Sequence, residues 1–245
     1  MKKLISIKEM RKICQKNSYD SWCSKKILNK FSIYFTWIFS LTPITPNQVT
    51  FLMILSGVIG GIFLALNGYL NDLIGVLFLY LFLVLDLTDG ELARYKKVFS
   101  KKGKFLDFIA NDIIFIFMFL GLSFKIFNNN YKMFGHLLFH NPIVLILGLS
   151  VIIFFLLFKL SSYYAKEIDE DFCRSFSKFN RFNKKIKSII LKISDNIFYD
   201  TIVIMVVIIG IIFNVSQYIL LFYGISFMLR YFIAIFLKLN SRRVN

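Results

Sequence analysis

The sequence predicts an all-α integral membrane protein, with six transmembrane helices preceded by an N-terminal juxtamembrane amphipathic helix. Three observations carry this expectation. Hydrophobic residues make up 57% of the chain and the mean hydropathy is +0.66, values of a chain solvated by lipid rather than water. Six apolar stretches are each long enough to cross a hydrocarbon layer about 30 Å thick at about 1.5 Å per residue. The basic residues are segregated. Nine Lys or Arg precede the first stretch, six lie from Arg94 to Lys104, nine from Lys159 to Lys192 and three from Lys238 to Arg243, while the opposite loops hold only Lys125 and Lys132. That bias predicts both termini on the cytoplasmic side of the cell (inner) membrane. It also assigns the net charge of +16 to anionic lipid head groups and not to nucleic acid.

Taken in order, residues 1–17 are basic and lack the short apolar core of a signal peptide. Residues 19–41 gather Trp22, Ile27, Phe31, Tyr34, Phe35 and Ile38 on one side and Ser21, Lys25, Asn29, Ser32 and Thr36 on the other. That pattern suits an interfacial helix lying on the membrane, or one packed on the protein's own cytoplasmic face. Residues 1–45 form this cytoplasmic and interfacial segment; residues 46–245 form the six-span domain. Thr45, Pro46 and Gln48 make a capping box with Pro at the first helical position. It starts span one at about 46–66, where Ser56, Gly57, Gly60 and Gly61 predict a tight helix contact. Spans two and three follow at about 72–95 and 104–126.

The loop of residues 128–141 carries His136 and His140, whose spacing would suit a metal, but its place on a polar surface opposite the acids counts against one. Span four is expected at about 142–164, then a basic loop with a short helix, then spans five (194–213) and six (218–238). Asp195, Asp200 and Arg230 fall at or inside the membrane boundary. Arg230 is expected either to snorkel or pair with Asp200, or to contact an anionic acceptor. Cys14, Cys23 and Cys173 have neither disulfide nor zinc spacing and read as reduced thiols.

The chemistry concentrates between residues 86 and 111. An ionisable group at membrane depth is costly and marks function by default. At about 100° per residue, Asp86, Asp89, Gly90 and Ala93 share one helix face, flanked by Arg94; Gly103, Asp107 and Asn111 share a face of the next helix. A turn within residues 95–102 sets the two helices antiparallel and brings Asp89 and Asp107 to one level, with Asp86 about one turn deeper. Three carboxylates then converge where hard divalent cations would fit. Gly90, Ala93 and Gly103 leave room for a flat base or a pyrophosphate, and Arg94 offers a fork for phosphate oxygens.

This stretch resembles the signature of the CDP-alcohol phosphotransferases, D-x2-D-G-x2-A-R-x8-G-x3-D-x3-D. Asp86, Asp89, Gly90, Ala93, Arg94, Gly103 and Asp107 match with every spacing intact, and Asn111 stands where the family has a fourth Asp. The resemblance implies metal-dependent transfer of a substituted phosphate group from a CDP-linked donor, CDP-diacylglycerol or another CDP-alcohol, to an acceptor hydroxyl, with release of CMP, in phospholipid or related head-group synthesis. It implies two Mg2+ or Mn2+ ions on Asp86, Asp89 and Asp107. A nucleotide pocket would comprise Asp86, Gly90, Ala93, Arg94, Gly103 and Asp107, and a membrane lipid would be a substrate partner of a homodimer. Asn111 occupies the position of the general base, and an amide cannot act as one. Asp112 is turned about 100° from the Asp107 face and is expected to meet a neighbouring helix. Two other readings stay open: a catalytically impaired relative that binds nucleotide or lipid, and a transporter, against which the motif spacing and the lack of an inverted repeat both count.

Overall fold

The computed structural model describes residues 6–15, 27–129, 131–133, 135–137, 140–168 and 200–240. Its helices are α1 (Ile7–Cys14), α2 (Asn29–Ser40), α3 (Pro46–Ala65), α4 (Tyr69–Lys96), α5 (Lys101–Asn128), α6 (Pro142–Ile168), α7 (Asp200–Ile212) and α8 (Ser216–Asn240). Two short strands, β1 (Lys132–Met133) and β2 (His136–Leu137), pair antiparallel in the loop after α5. The protein is thus an all-α membrane protein with one added hairpin.

Helices α3, α4, α5, α6 and α8 are long and apolar enough to cross a membrane; α7 is a shorter apolar helix over Thr201–Ile212. The expected fifth span began at residue 194, and its first residues lie outside the described ones. So do the short helix expected after span four, Cys23, Cys173, Asp195 and the first part of the expected amphipathic helix. Helix α6 runs on to Ile168, past the expected end of span four.

The capping box at Thr45 forms as expected: Gln48 N–H donates to Thr45 Oγ1 at 3.4 Å and Thr45 N–H to Gln48 Oε1 at 2.8 Å. Helix α3 then inserts between α4 and α5 through its small residues. A Cβ on Gly121 of α5 would lie 2.2 Å from the Gly61 carbonyl oxygen, and one on Gly60 would lie 3.2 Å from that of Gly75 in α4. Backbone therefore touches backbone on both sides of α3, which in lipid supplies the dispersion contact that a hydrophobic drive cannot.

An aromatic cluster joins α5, α6 and α8. Phe115 stacks on Phe155 with ring centres 4.2 Å apart, and Phe119 meets Tyr223 edge-on at 5.8 Å. At the far end of the bundle a buried ion pair, Lys125–Asp72, ties α5 to α4.

Helix α2 is polarised as expected, and it packs on the protein's own bundle, the second of the two placements that the sequence left open. Ser32 and Thr36 are fully buried against the protein, while Phe31, Tyr34 and Ile38 are about half exposed. The polar stripe faces the bundle and the apolar stripe faces outward, the arrangement lipid favours.

Candidate active site

Three helix ends meet at one pole of the bundle because the connections are short. Lys97 ends α4 in the left-handed region, φ 55°, and its N–H donates to the Ala93 carbonyl. Three residues later the Ser100 hydroxyl accepts the Gly103 N–H at 2.9 Å and caps α5. This tight reversal makes α4 and α5 antiparallel neighbours. The start of α3 joins them: Lys96 Nζ donates to the Thr42 and Ile44 carbonyls at 3.1 and 2.5 Å.

The motif acids face one another across this pole. Asp89 is 9% exposed, and its Oδ2 accepts the Thr50 hydroxyl of α3 at 2.6 Å, a short charge-assisted bond. Asp107, half-buried on α5, lies within the electrostatic reach of Asp89 and of Lys159 on α6. Asp86 is half-buried one turn deeper on α4. Among the described residues no three His, Cys, Asp or Glu side chains are drawn into a closed ligand cluster. The donor chemistry nevertheless fits a hard divalent ion: carboxylate oxygens from two facing helices, one of them held by a neutral hydroxyl.

Beside the acids runs a shelf without bulk. The Arg94 terminal nitrogens lie over Gly90, 3.4 and 3.7 Å from where its Cβ would be. A Cβ on Gly103 would come 2.8 Å from Asn47 Oδ1 and 3.0 Å from Ser100 Oγ. A side chain on Gly103 would displace the Asn47 amide, so Asn47 joins the rim of the site. Ala93 is half-buried on the same face.

Glu91, just outside the motif positions, is 1% exposed. Its Oε1 accepts Gln15 Nε2 at 2.6 Å and the Ser32 hydroxyl at 2.8 Å, and its Oε2 accepts the Thr36 hydroxyl at 2.6 Å. Next to it Arg94 Nε donates to the Cys14 carbonyl of α1 at 2.7 Å. Met10, Cys14 and Ile33 form a small apolar core here, with Tyr95 and Trp37 packed on it. Burial, helped by the Glu91 charge, pushes the Cys14 thiol up to about 11, so it stays protonated and unreactive near neutral pH.

The remaining predicted residues divide. Asn111 is half-buried and its amide donates to the Asp107 carbonyl at 3.0 Å, back onto its own helix. Asp112 meets a neighbouring helix as expected, in an ion pair with Lys159. Arg230 lies over the Phe158 ring at 4.4 Å, and Lys159 over Phe155 at 4.8 Å, so both cations rest on neighbouring rings of α6. Asp200 is the first residue of α7. His136 sits in β2, and His140 stacks on Phe127.

Sequence reasoning missed Thr50, Asn47 and the partners of Glu91. The available signals were a lone Thr one turn into an apolar span and a Glu inside the acid motif.

A family model described as CDP-alcohol phosphatidyltransferase matches residues 43–229. A search of curated proteins finds no match. The matched region takes in α3 through most of α8 and the whole of the acid-bearing pole, and leaves α1 and α2 outside. The chain is therefore a member of the CDP-alcohol phosphatidyltransferase family, a membrane-embedded transferase.

Proposed function

We propose that the protein transfers a substituted phosphate group from a CDP-linked donor to an acceptor hydroxyl and releases CMP, in the synthesis of phospholipid or related head groups. The observation that carries this reading is that Asp89 and Asp107 stand within electrostatic reach of each other on the facing helices α4 and α5, beside the Gly90–Arg94 shelf. Asp86, Asp89 and Asp107 would hold divalent cations, Mg2+ or Mn2+. When bound, such ions neutralise pyrophosphate charge and stabilise the leaving CMP. Arg94 binds phosphate oxygens with its fork, and Gly90, Ala93 and Gly103 admit the cytidine diphosphate. Thr50 orients Asp89. The reaction is then chiefly one of positioning and charge.

Asn111 does not take the acceptor proton. Its amide has no basicity near neutral pH and is spent on the Asp107 carbonyl. An acceptor that brings its own base, such as a phosphate, resolves this. The basic loops support an active site opening to the cytoplasm, and family resemblance supports a homodimer.

The test is divalent-dependent binding of CDP to the purified protein and to Asp86→Ala, Asp89→Ala and Asp107→Ala. Each variant is expected to lose most of it. Binding retained by all three would overturn the site. The rival reading, an impaired relative, rests on Asn111. It would win if the wild type were silent with every donor and acceptor and Asn111→Asp were active.

A further inference from the structure

We propose that helix α1 positions Arg94: the carbonyl of Cys14 fixes the guanidinium at Nε, so that its terminal nitrogens are held beside Gly90 for the diphosphate of the donor. This rests on the donor reading above but concerns a segment that the family match, which begins at residue 43, does not include. Cys14 is the last residue of α1, so its carbonyl is one of those a helix end leaves without an intrahelical partner, at the negative end of the helix dipole. Arg94 satisfies it at 2.7 Å through Nε alone. The terminal nitrogens remain over Gly90, and the side chain as a whole is exposed at the pole.

The clamp is itself held in place. Gln15, which caps α1, donates from one Nε2 to both Glu91 Oε1 and the Asn29 carbonyl, at 2.6 and 2.9 Å. Ser32 and Thr36 complete the shell around Glu91. Three hydrogen bonds around a buried carboxylate fix the register of α1 and α2 on α4, one turn of helix from the acids. A long exposed arginine would otherwise lose its rotamer freedom only when the donor binds; α1 removes that loss beforehand. Glu91, Gln15 and the Cys14 carbonyl are positioning groups and do not touch the donor.

The experiment compares full-length protein with a variant lacking residues 1–15, measuring the Kd of CDP at fixed Mg2+, and KM and kcat with the donor. Removal of the clamp should raise Kd and KM roughly three- to tenfold, the cost of immobilising one rotamer-rich side chain, with kcat within about twofold. Arg94→Ala should then weaken CDP binding less in the truncated protein than in the full chain, since the two changes share one interaction. Should the truncated protein not fold, Glu91→Leu replaces it and should show the same Kd rise. Glu91→Gln should restore binding, because Thr36 can turn its hydroxyl to the Ser32 carbonyl 3.0 Å away and accept from the new amide. Wild-type binding of CDP that neither change weakens, or a fall in thermal stability with Kd unmoved, would overturn the clamp alone. Absence of CDP binding by the wild type would overturn the donor reading and the clamp with it.

Discussion

Thr50→Val tests the electrostatics of the pole most sharply. The substitution keeps a β-branched side chain near the start of α3 and removes one hydroxyl. Thr50 and Asp89 are 3% and 9% exposed, and their oxygens are 2.6 Å apart, so water does not readily replace the lost donor. A hydrogen bond to a charged group contributes about 1.5–3 kcal/mol, or roughly 10- to 150-fold in an equilibrium constant. Loss of a group that orients a metal-binding carboxylate typically weakens affinity by roughly 10- to 100-fold. The apparent Kd for Mg2+, from nucleotide binding titrated with the metal, is therefore expected to rise about 10- to 100-fold. Thr50→Ser retains the hydroxyl and should stay within about threefold of wild type, a bound set by the loss of one partly compensated methyl. Equal Mg2+ affinities in all three proteins, each shown to be folded, would refute the role given to this bond.

Other outcomes follow from the same geometry. Asn111→Ala should lower kcat by roughly tenfold or less, against the 10²–10⁴ typical of a true acid–base group; a larger loss would restore a direct catalytic part to the amide. Gly103→Ala would set a methyl 2.8 Å from Asn47 Oδ1, the end of a side chain that can swing aside, and should cost about 1 kcal/mol in nucleotide affinity or stability, the low end of overpacking, with part recovered when Asn47→Ala is added. The Cys14 thiol, raised from 9.0 to about 11 by burial, should resist alkylation in the folded protein at pH 8. A raised folded-state value means that the stability tied to the neutral thiol is fully present below pH 9 and lost as pH rises through about 11. Alkylation at Cys14, followed by peptide mass mapping, should accelerate across that window; rapid labelling at pH 8 would contradict the docking of α1.

Much of this architecture was legible in the sequence because it follows from periodicity. Residues spaced by three and four fall on one helix face, and a short polar turn between two apolar spans makes them antiparallel, which brings Asp89 and Asp107 together. The glycines of α3 announced its close contacts for the same reason. Contacts between distant segments were not legible. Thr50 meets Asp89 across 39 residues and Ser32 meets Glu91 across 59, and nothing local to a single polar residue in an apolar run names its partner. The amphipathic stripe of α2 was visible, yet its burial depended on Glu91. With a buried carboxylate waiting on α4, the serine and threonine turn inward and the aromatic side faces outward. Nor could spacing foresee Asn111 folding back on the Asp107 carbonyl, a choice between its own backbone and the open site.

The central claim is that the acids at this pole carry out transfer from a CDP-linked donor. It is tested most directly by CMP release from the purified protein, supplied with CDP-diacylglycerol or a CDP-alcohol and candidate acceptors, with and without Mg2+ or Mn2+, alongside Asp107→Ala. The account predicts divalent-dependent CMP formation by the wild type and a loss of about a hundredfold or more in the variant, the scale of several kcal/mol of charge stabilisation. CMP released equally well by Asp107→Ala would contradict it.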